Sequence, residues 1–330
     1  MRTYHLLSPK YNLRVYLAAL IIIFIPRLSS ASLPNSDSET FISNLSFIDD
    51  VAHGKNNSFS VDWQWKDNQG KDLQLHSFFS ANAVQQSLLD SYKVSFSLNY
   101  PIKAIHTYLS PRLEFAIQRI NHYTPKNESK IASLKSAFTD KEDTSTSLLF
   151  WQAYNQYQDD AFYHLKISPC IHPDDADLPC VRPNYSQLFY EYRAYLKDVA
   201  TQLANKQSLT AAVKNAQNWV YTIPNRAEQL SSFFPPISVL QSNEADSDEK
   251  ALLLATLVSQ LAPKYQLYML YPSNSIGSVS PVWLTIESES GIEGKKITIN
   301  SNQYTVISGS KTKLEKMLSS NTEMTSESLY

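Results

Sequence analysis

The chain reads as an α+β protein: a β-rich, mixed N-terminal region precedes a run of helices and then a run of strands. Three observations predict this class. Residues 59–66 and 71–79 alternate apolar and polar side chains around a Gly-bearing turn, which is a β-hairpin pattern. Residues 185–261 carry apolar side chains at helical spacing. Residues 265–307 hold apolar runs separated by Gly, Ser, Asn and Pro, as expected of strands joined by turns. The 20 tyrosines among 330 residues suit half-buried strands, and the length suggests two domains.

The amino terminus has the grammar of an export signal. Arg2, Lys10 and Arg14 lead into an apolar run at 15–26, and Ser29 and Ala31 follow as small residues of a cleavage site. The run is shorter than a membrane span requires, so no stable span is expected after cleavage. Residues 1–31 are therefore expected to be a signal peptide, and the mature chain to be periplasmic or extracellular. An uncleaved anchor is the alternative. Residues 32–57 are Ser- and Asn-rich and are expected to be a flexible lead-in.

In the hairpin, Phe59, Val61, Trp63 and Trp65 share one face, which fits a packed surface better than a sugar platform. Residues 80–89 and 109–120 have helical character. Residues 139–147 are polar and read as a loop, and the aromatic-dense stretch 148–167 is expected to be strand. Cys170 and Cys180, the only cysteines, flank a short Pro- and Asp-rich loop. In an oxidising compartment this pair favours a disulfide. A metal site using Cys170, His172, Asp174, Asp175 and Asp177 is less well supported: calcium would not want thiolates, and zinc would want another His or Cys. No metal and no cofactor is expected.

Residues 185–204 read as one long amphipathic helix, with Leu188, Tyr192, Tyr195, Leu196 and Val199 on one side. Residues 208–221 form a second helix that ends near Pro224, and residues 233–236 a proline corner. The clearest helix is 246–261. Asp246 or Ser247 can cap it, and Asp248 and Glu249 complement its positive end while facing solvent. Lys250 is expected to partner a nearby carboxylate. Strands follow at 265–271, 282–288 and 295–307, and the polar tail 311–330 is expected to fray. The organisation thus becomes a mixed N-terminal region at 58–184, a second domain at 185–310 and a tail.

Composition excludes several functions. Only six glycines occur, about 2% against roughly 7% in ordinary proteins. None makes a dinucleotide or phosphate loop. Lys and Arg total 29 against 31 Asp and Glu, so no basic footprint invites nucleic acid.

Residues 243–255, Asn-Glu-Ala-Asp-Ser-Asp-Glu-Lys-Ala-Leu-Leu-Leu-Ala, resemble the nucleophile motif of bacterial transglutaminase-like (papain-type cysteine peptidase-like) proteins. That motif reads roughly Gly-Asp-Cys-Asp-Asp-Lys-Ala before a leucine-rich helix. Residues 216–224 and 232–240 are similar to its flanking segments, so the resemblance covers about 185–310. It implies a helix on an antiparallel sheet. In such proteins a cysteine at the helix N-terminus gains thiolate character, a histidine on the following strands is the base, and an Asp or Asn orients it. Here Ser247 stands for the cysteine and Ala245 for the glycine. Asn274 or Pro281 stands for the histidine, and Asn300 or Ser308 for the third residue. The last histidine is His172.

The resemblance therefore implies a degenerate member without catalytic residues. Its former groove, formed by Asp246, Ser247, Asp248, Asn274 and Trp283, would bind a peptide, a protein partner or cell-envelope material. Two alternatives stay open. One is a hydrolase or acyl-transfer enzyme using Ser247 with a base from the N-terminal half, such as His164 or His172. The other is a scaffold acting through its β-rich N-terminal region.

Overall fold

A computed structural model describes residues 58–66, 71–100, 104, 155–156, 158–171, 179–227, 232–273 and 281–330. The signal-like segment, the lead-in, the turn at 67–70, the segments 109–120 and 139–147, His172 and Asn274 lie outside the described residues.

β1 (Phe59–Lys66) and β2 (Asp72–Phe79) pair antiparallel, with Trp63 opposite Leu75. Their apolar face lies on a helix: Trp63 meets Trp219 edge to face at 5.1 Å. α1 (Ala81–Asn99) starts at Ser80, whose side chain accepts from the Ala83 N–H, and runs well past residue 89. Its buried residues Ala83, Ser87, Asp90, Val94 and Ser97 recur every three or four positions, one helical face.

The strand expected at 148–167 is not found in its described part. Residues 158–165 are helical, and strand begins only at Ile167. Ala161, Phe162 and Leu165 meet the core from one helical face, and that packing overrides the β preference of the aromatics. β3 (Ile167–Ile171) and β4 (Pro179–Pro183) form a second hairpin. Cys170 lies opposite Cys180 and is bonded to it, with Cα atoms 5.1 Å apart.

The helix expected over 185–204 is two: α2 (Tyr185–Tyr192) and α3 (Lys197–Ala204). Leu188, Tyr192, Leu196 and Val199 are all fully buried, so the apolar stripe continues through the intervening turn and periodicity cannot register the break; Tyr195, expected on the same side, lies in that turn and is exposed. α4 (Leu209–Thr222) is capped by Ser208. The proline corner begins a further short helix, α5 (Pro236–Ser242), with proline in its first turn, where no N–H is missed. α6 (Ser247–Leu261) is buried almost all round, as expected of a central helix.

β5 (Leu267–Pro272), β6 (Trp283–Glu287), β7 (Lys295–Ile299), β8 (Asn302–Val306) and β9 (Met324–Ser328) form an antiparallel sheet in the order β7-β8-β6-β5-β9. The run 295–307 is split into β7 and β8 by Asn300 and Ser301, both at positive φ (48° and 70°), which matches a two-residue primed turn. The tail does not fray. It supplies β9 and, before it, α7 (Lys311–Ser319), with Leu314, Met324 and Leu329 buried.

The sheet is covered on both faces. Leu267, Met269, Tyr271, Leu284 and Ile286 join the main core that holds α6. Leu270, Trp283 and Val306 point the other way and pack with Leu314 of α7. The main core also takes in Leu75, Phe79 and Val84, so the first hairpin and α1 share it with α6. Among the described residues, no helix is long and apolar enough to cross a membrane.

Candidate functional site at the N-terminus of α6

The approach to α6 is held by backbone pairing. Asn225 bridges Ala245 in parallel, with Arg226 N–H donating to the Ala245 carbonyl at 2.9 Å and Ala245 N–H to that of Pro224 at 3.1 Å. Asp246 then caps the helix through a reciprocal box. Its carboxylate accepts the Glu249 N–H at 3.3 Å, and the Glu249 side chain accepts the Asp246 N–H at 2.9 Å. Ser247 is the first helical residue and is half-buried; the cap itself is Asp246.

The acidic residues beside Ser247 do not face solvent. Asp246 is 2% exposed, and Asp248 and Glu249 are fully buried. Spacing within one helical turn could not show this, because the residues that bury them come from elsewhere in the chain. Tyr185 of α2 donates its hydroxyl to Asp248 Oδ2 at 2.8 Å. Arg226 donates to Glu249 and Ser232 and lies over the Phe234 ring at 4.1 Å. The Lys250 ammonium feels the charge of Asp246, but its hydrogen bonds go to the Ile223 carbonyl and Asn225 Oδ1, both at 2.6 Å, securing the end of α4.

Burial pushes the Asp248 carboxyl well above its ordinary range, with Asp246 and Glu249 adding to the shift. Burial also pushes Glu249 up to about 8, with Asp246 adding, although Arg226 and the backbone N–H donors of Asp246 and Phe234 oppose it. The Tyr185 hydroxyl is raised for the same reason, by burial and then by Asp248. A neutral tyrosine is thus a hydrogen-bond donor at this site.

The space between α6 and the end of β5 is occupied by rings. Tyr185 lies 6.0 Å from Tyr271 and 6.5 Å from Phe233, centroid to centroid. Sequence reasoning missed Tyr185 and Arg226 as members of this cluster. Arg226 could have been noticed as the cation between Pro224 and the acidic motif, but Tyr185 carries no such signal.

The other expected positions are dispersed. Trp283 is fully buried on the α7 side of the sheet, away from α6, and its indole N–H donates to the Ser310 carbonyl at 3.2 Å. Pro281 is half-buried just ahead of β6. Ser308 is buried, and its hydroxyl accepts the Leu284 N–H, extending the sheet past β8. Asn300 is exposed in the β7–β8 turn. Among the described histidines, His76 faces Asp62 at 2.8 Å and His164 faces Asp160 at 3.4 Å, each pairing within its own hairpin or helix. Among the described residues no group of His, Cys, Asp and Glu is arranged to hold a metal ion.

No protein-family model, no curated protein and no solved structure matches the chain.

Proposed function

We propose that this is an exported, non-catalytic member of the transglutaminase-like class that binds an extended peptide, a protein partner or envelope material along the N-terminal end of α6. One observation carries the reading. Chemistry of that class needs an activated thiol at the start of the helix with an imidazole opposite. This chain presents a half-buried Ser247 there, followed by the buried carboxyls of Asp248 and Glu249, with the Tyr185 hydroxyl on Asp248. The described imidazoles are committed to Asp62 and Asp160. A central helix followed directly by antiparallel strands supports the class, and the disulfide between Cys170 and Cys180 is compatible with export.

A serine-directed fluorophosphonate tests the absence of catalysis. The full mature chain should remain unlabelled. Labelling that disappears in Ser247→Ala would overturn the reading in favour of a serine enzyme. For binding, an array of extended peptides should retain the wild-type chain and release Ser247→Trp, whose bulk occupies the rim of the site. Equal retention of both would place binding elsewhere.

A further inference from the structure

The first hairpin leaves one long strand edge open. Gln202 of α3 clasps His76 from outside: its Oε1 accepts the His76 N–H at 3.2 Å, and its Nε2 donates to the His76 carbonyl at 2.6 Å. Both backbone groups of His76 therefore point away from β1, so the His76–Asp62 rung is one without ladder hydrogen bonds. The backbone groups of Asp62 then point away from β2, and by alternation so do those of Ser60 and Gln64. β1 pairs with β2 alone, and among the described residues nothing hydrogen-bonds to these outward groups. Other edges are blunted. Gln202 covers β2 at His76, Pro169, Pro179 and Pro183 interrupt β3 and β4, and β7 is short and opens on Lys295 and Lys296. β1 has eight residues and no proline.

We propose that this edge joins a second copy of the chain, β1 to β1 antiparallel about a twofold axis at Gln64, giving one four-stranded sheet. The exposed side chains of the hairpin select that occupant and that register. Within one copy, Asp62 lies opposite His76, Gln64 opposite Gln74 and Lys66 opposite Asp72, all on the solvent face. Asp62 and His76 are 2.8 Å apart, and Lys66 and Asp72 3.6 Å. With Gln64 set against Gln64 of the second copy, each Asp62 faces the other copy's Lys66. Every row across the four strands is then matched. The outer rows run His76, Asp62, Lys66, Asp72, and the central row is four glutamines. Opposite charges across strands and ladders of amides both favour sheet pairing. The other face agrees, because Trp63 meets Trp65 of the second copy, and both are only half-buried in the single chain. Centring the axis on Asp62 would set like charges face to face, and centring it on Trp63 would lose both ion pairs. The pairing uses one self-complementary patch, so it closes at two copies. It uses no residue from the start of α6, and stands or falls independently of binding there.

Sedimentation velocity of the full mature chain, followed up to its solubility limit, should show a monomer–dimer equilibrium. Asp62→Lys and Lys66→Asp each place like charges in both outer rows and should raise the dissociation constant about tenfold or more. Combining Asp62→Lys with Lys66→Asp disturbs the same pairs within each hairpin but restores the pairs between copies, so the double variant should dimerise again. Gln64→Pro removes an outward N–H without touching the β1–β2 ladder, and should be monomeric with an unchanged circular dichroism spectrum. A wild-type chain that stays monomeric throughout would overturn the proposal. So would a double variant no better than the single ones, or a Gln64→Pro variant that dimerises as the wild type does.

Discussion

Gly309 shows how one residue can be required by a neighbour far away in sequence. It sits at φ +79° above Trp283, and an added Cβ would lie 2.4 Å from Trp283 Cδ1. The buried indole cannot retreat, since Leu314 and Met324 pack beside it. Gly309→Ala combines overpacking with an unfavourable backbone, and should cost about 2 kcal/mol or more, read as a lower denaturant midpoint. The glycine count alone excludes phosphate loops, but it says nothing about this contact. Ser247 is the complementary case. Its position at the start of a helix was legible to within one residue, because Asp and Ser are both good caps. That Asp246 is the cap is decided by its reciprocal box with Glu249, and the enclosure of its acidic neighbours involves Tyr185 and Arg226, about 60 and 20 residues upstream.

At the scale of elements, a second buried network ties α1 to the helical residues 158–165 and to α2. Lys166 contacts Asp90 at 3.1 Å and also Glu191. Tyr192 donates to Asp90 Oδ2 and Gln86 to Asp90 Oδ1, each at 2.8 Å. Burial raises the Asp90 carboxyl, and Lys166 is the largest influence opposing this. Lys166→Met leaves a buried carboxylate without its cation and should cost about 3–5 kcal/mol. Raising the pH through the range where Asp90 ionises should deepen the loss, because the uncompensated charge then forms. A pH series of urea melts on this variant measures both effects. Helices were more legible than strands here. Repeating apolar positions mark a helix whatever it packs on, and the periodicity at 246–261 was complete. The stretch 148–167 failed because tyrosine and phenylalanine fit either a strand or the buried face of a helix.

For the whole molecule, the continuity of the main core matters most. Leu75 and Phe79 of the first hairpin belong to the same cluster as Leu253 of α6, Leu284 of β6 and Leu329 near the carboxyl end. Unfolding should therefore be one transition, with tryptophan fluorescence and far-ultraviolet circular dichroism following the same curve. Separate midpoints would mean that the hairpin and α1 unfold independently. Removing the Cys170–Cys180 bond, with both residues changed to Ser, should shift that single curve by about 2–3 kcal/mol, as expected for the closure of a short loop. The tail shows the same dependence on the whole. Its polar composition suggests fraying, yet Met324 and Leu329 complete the sheet edge and the core.

By itself the sequence determined the α+β class, the first hairpin, the central helix and the place where it starts to within one residue, and the pairing of the two cysteines. Each rests on local periodicity, on a turn or cap, or on a count of two. It also determined that no histidine follows residue 172. Only the tertiary structure decided that Trp283 faces α7 and not the start of α6. It alone showed that the acidic motif is enclosed, that the helix under one continuous apolar stripe is broken into α2 and α3, and that the tail pairs with β5. The physical reason is common to all four. Burial and the cost of an unpaired charge are set by side chains that arrive from distant parts of the chain, and one-dimensional spacing carries no record of them.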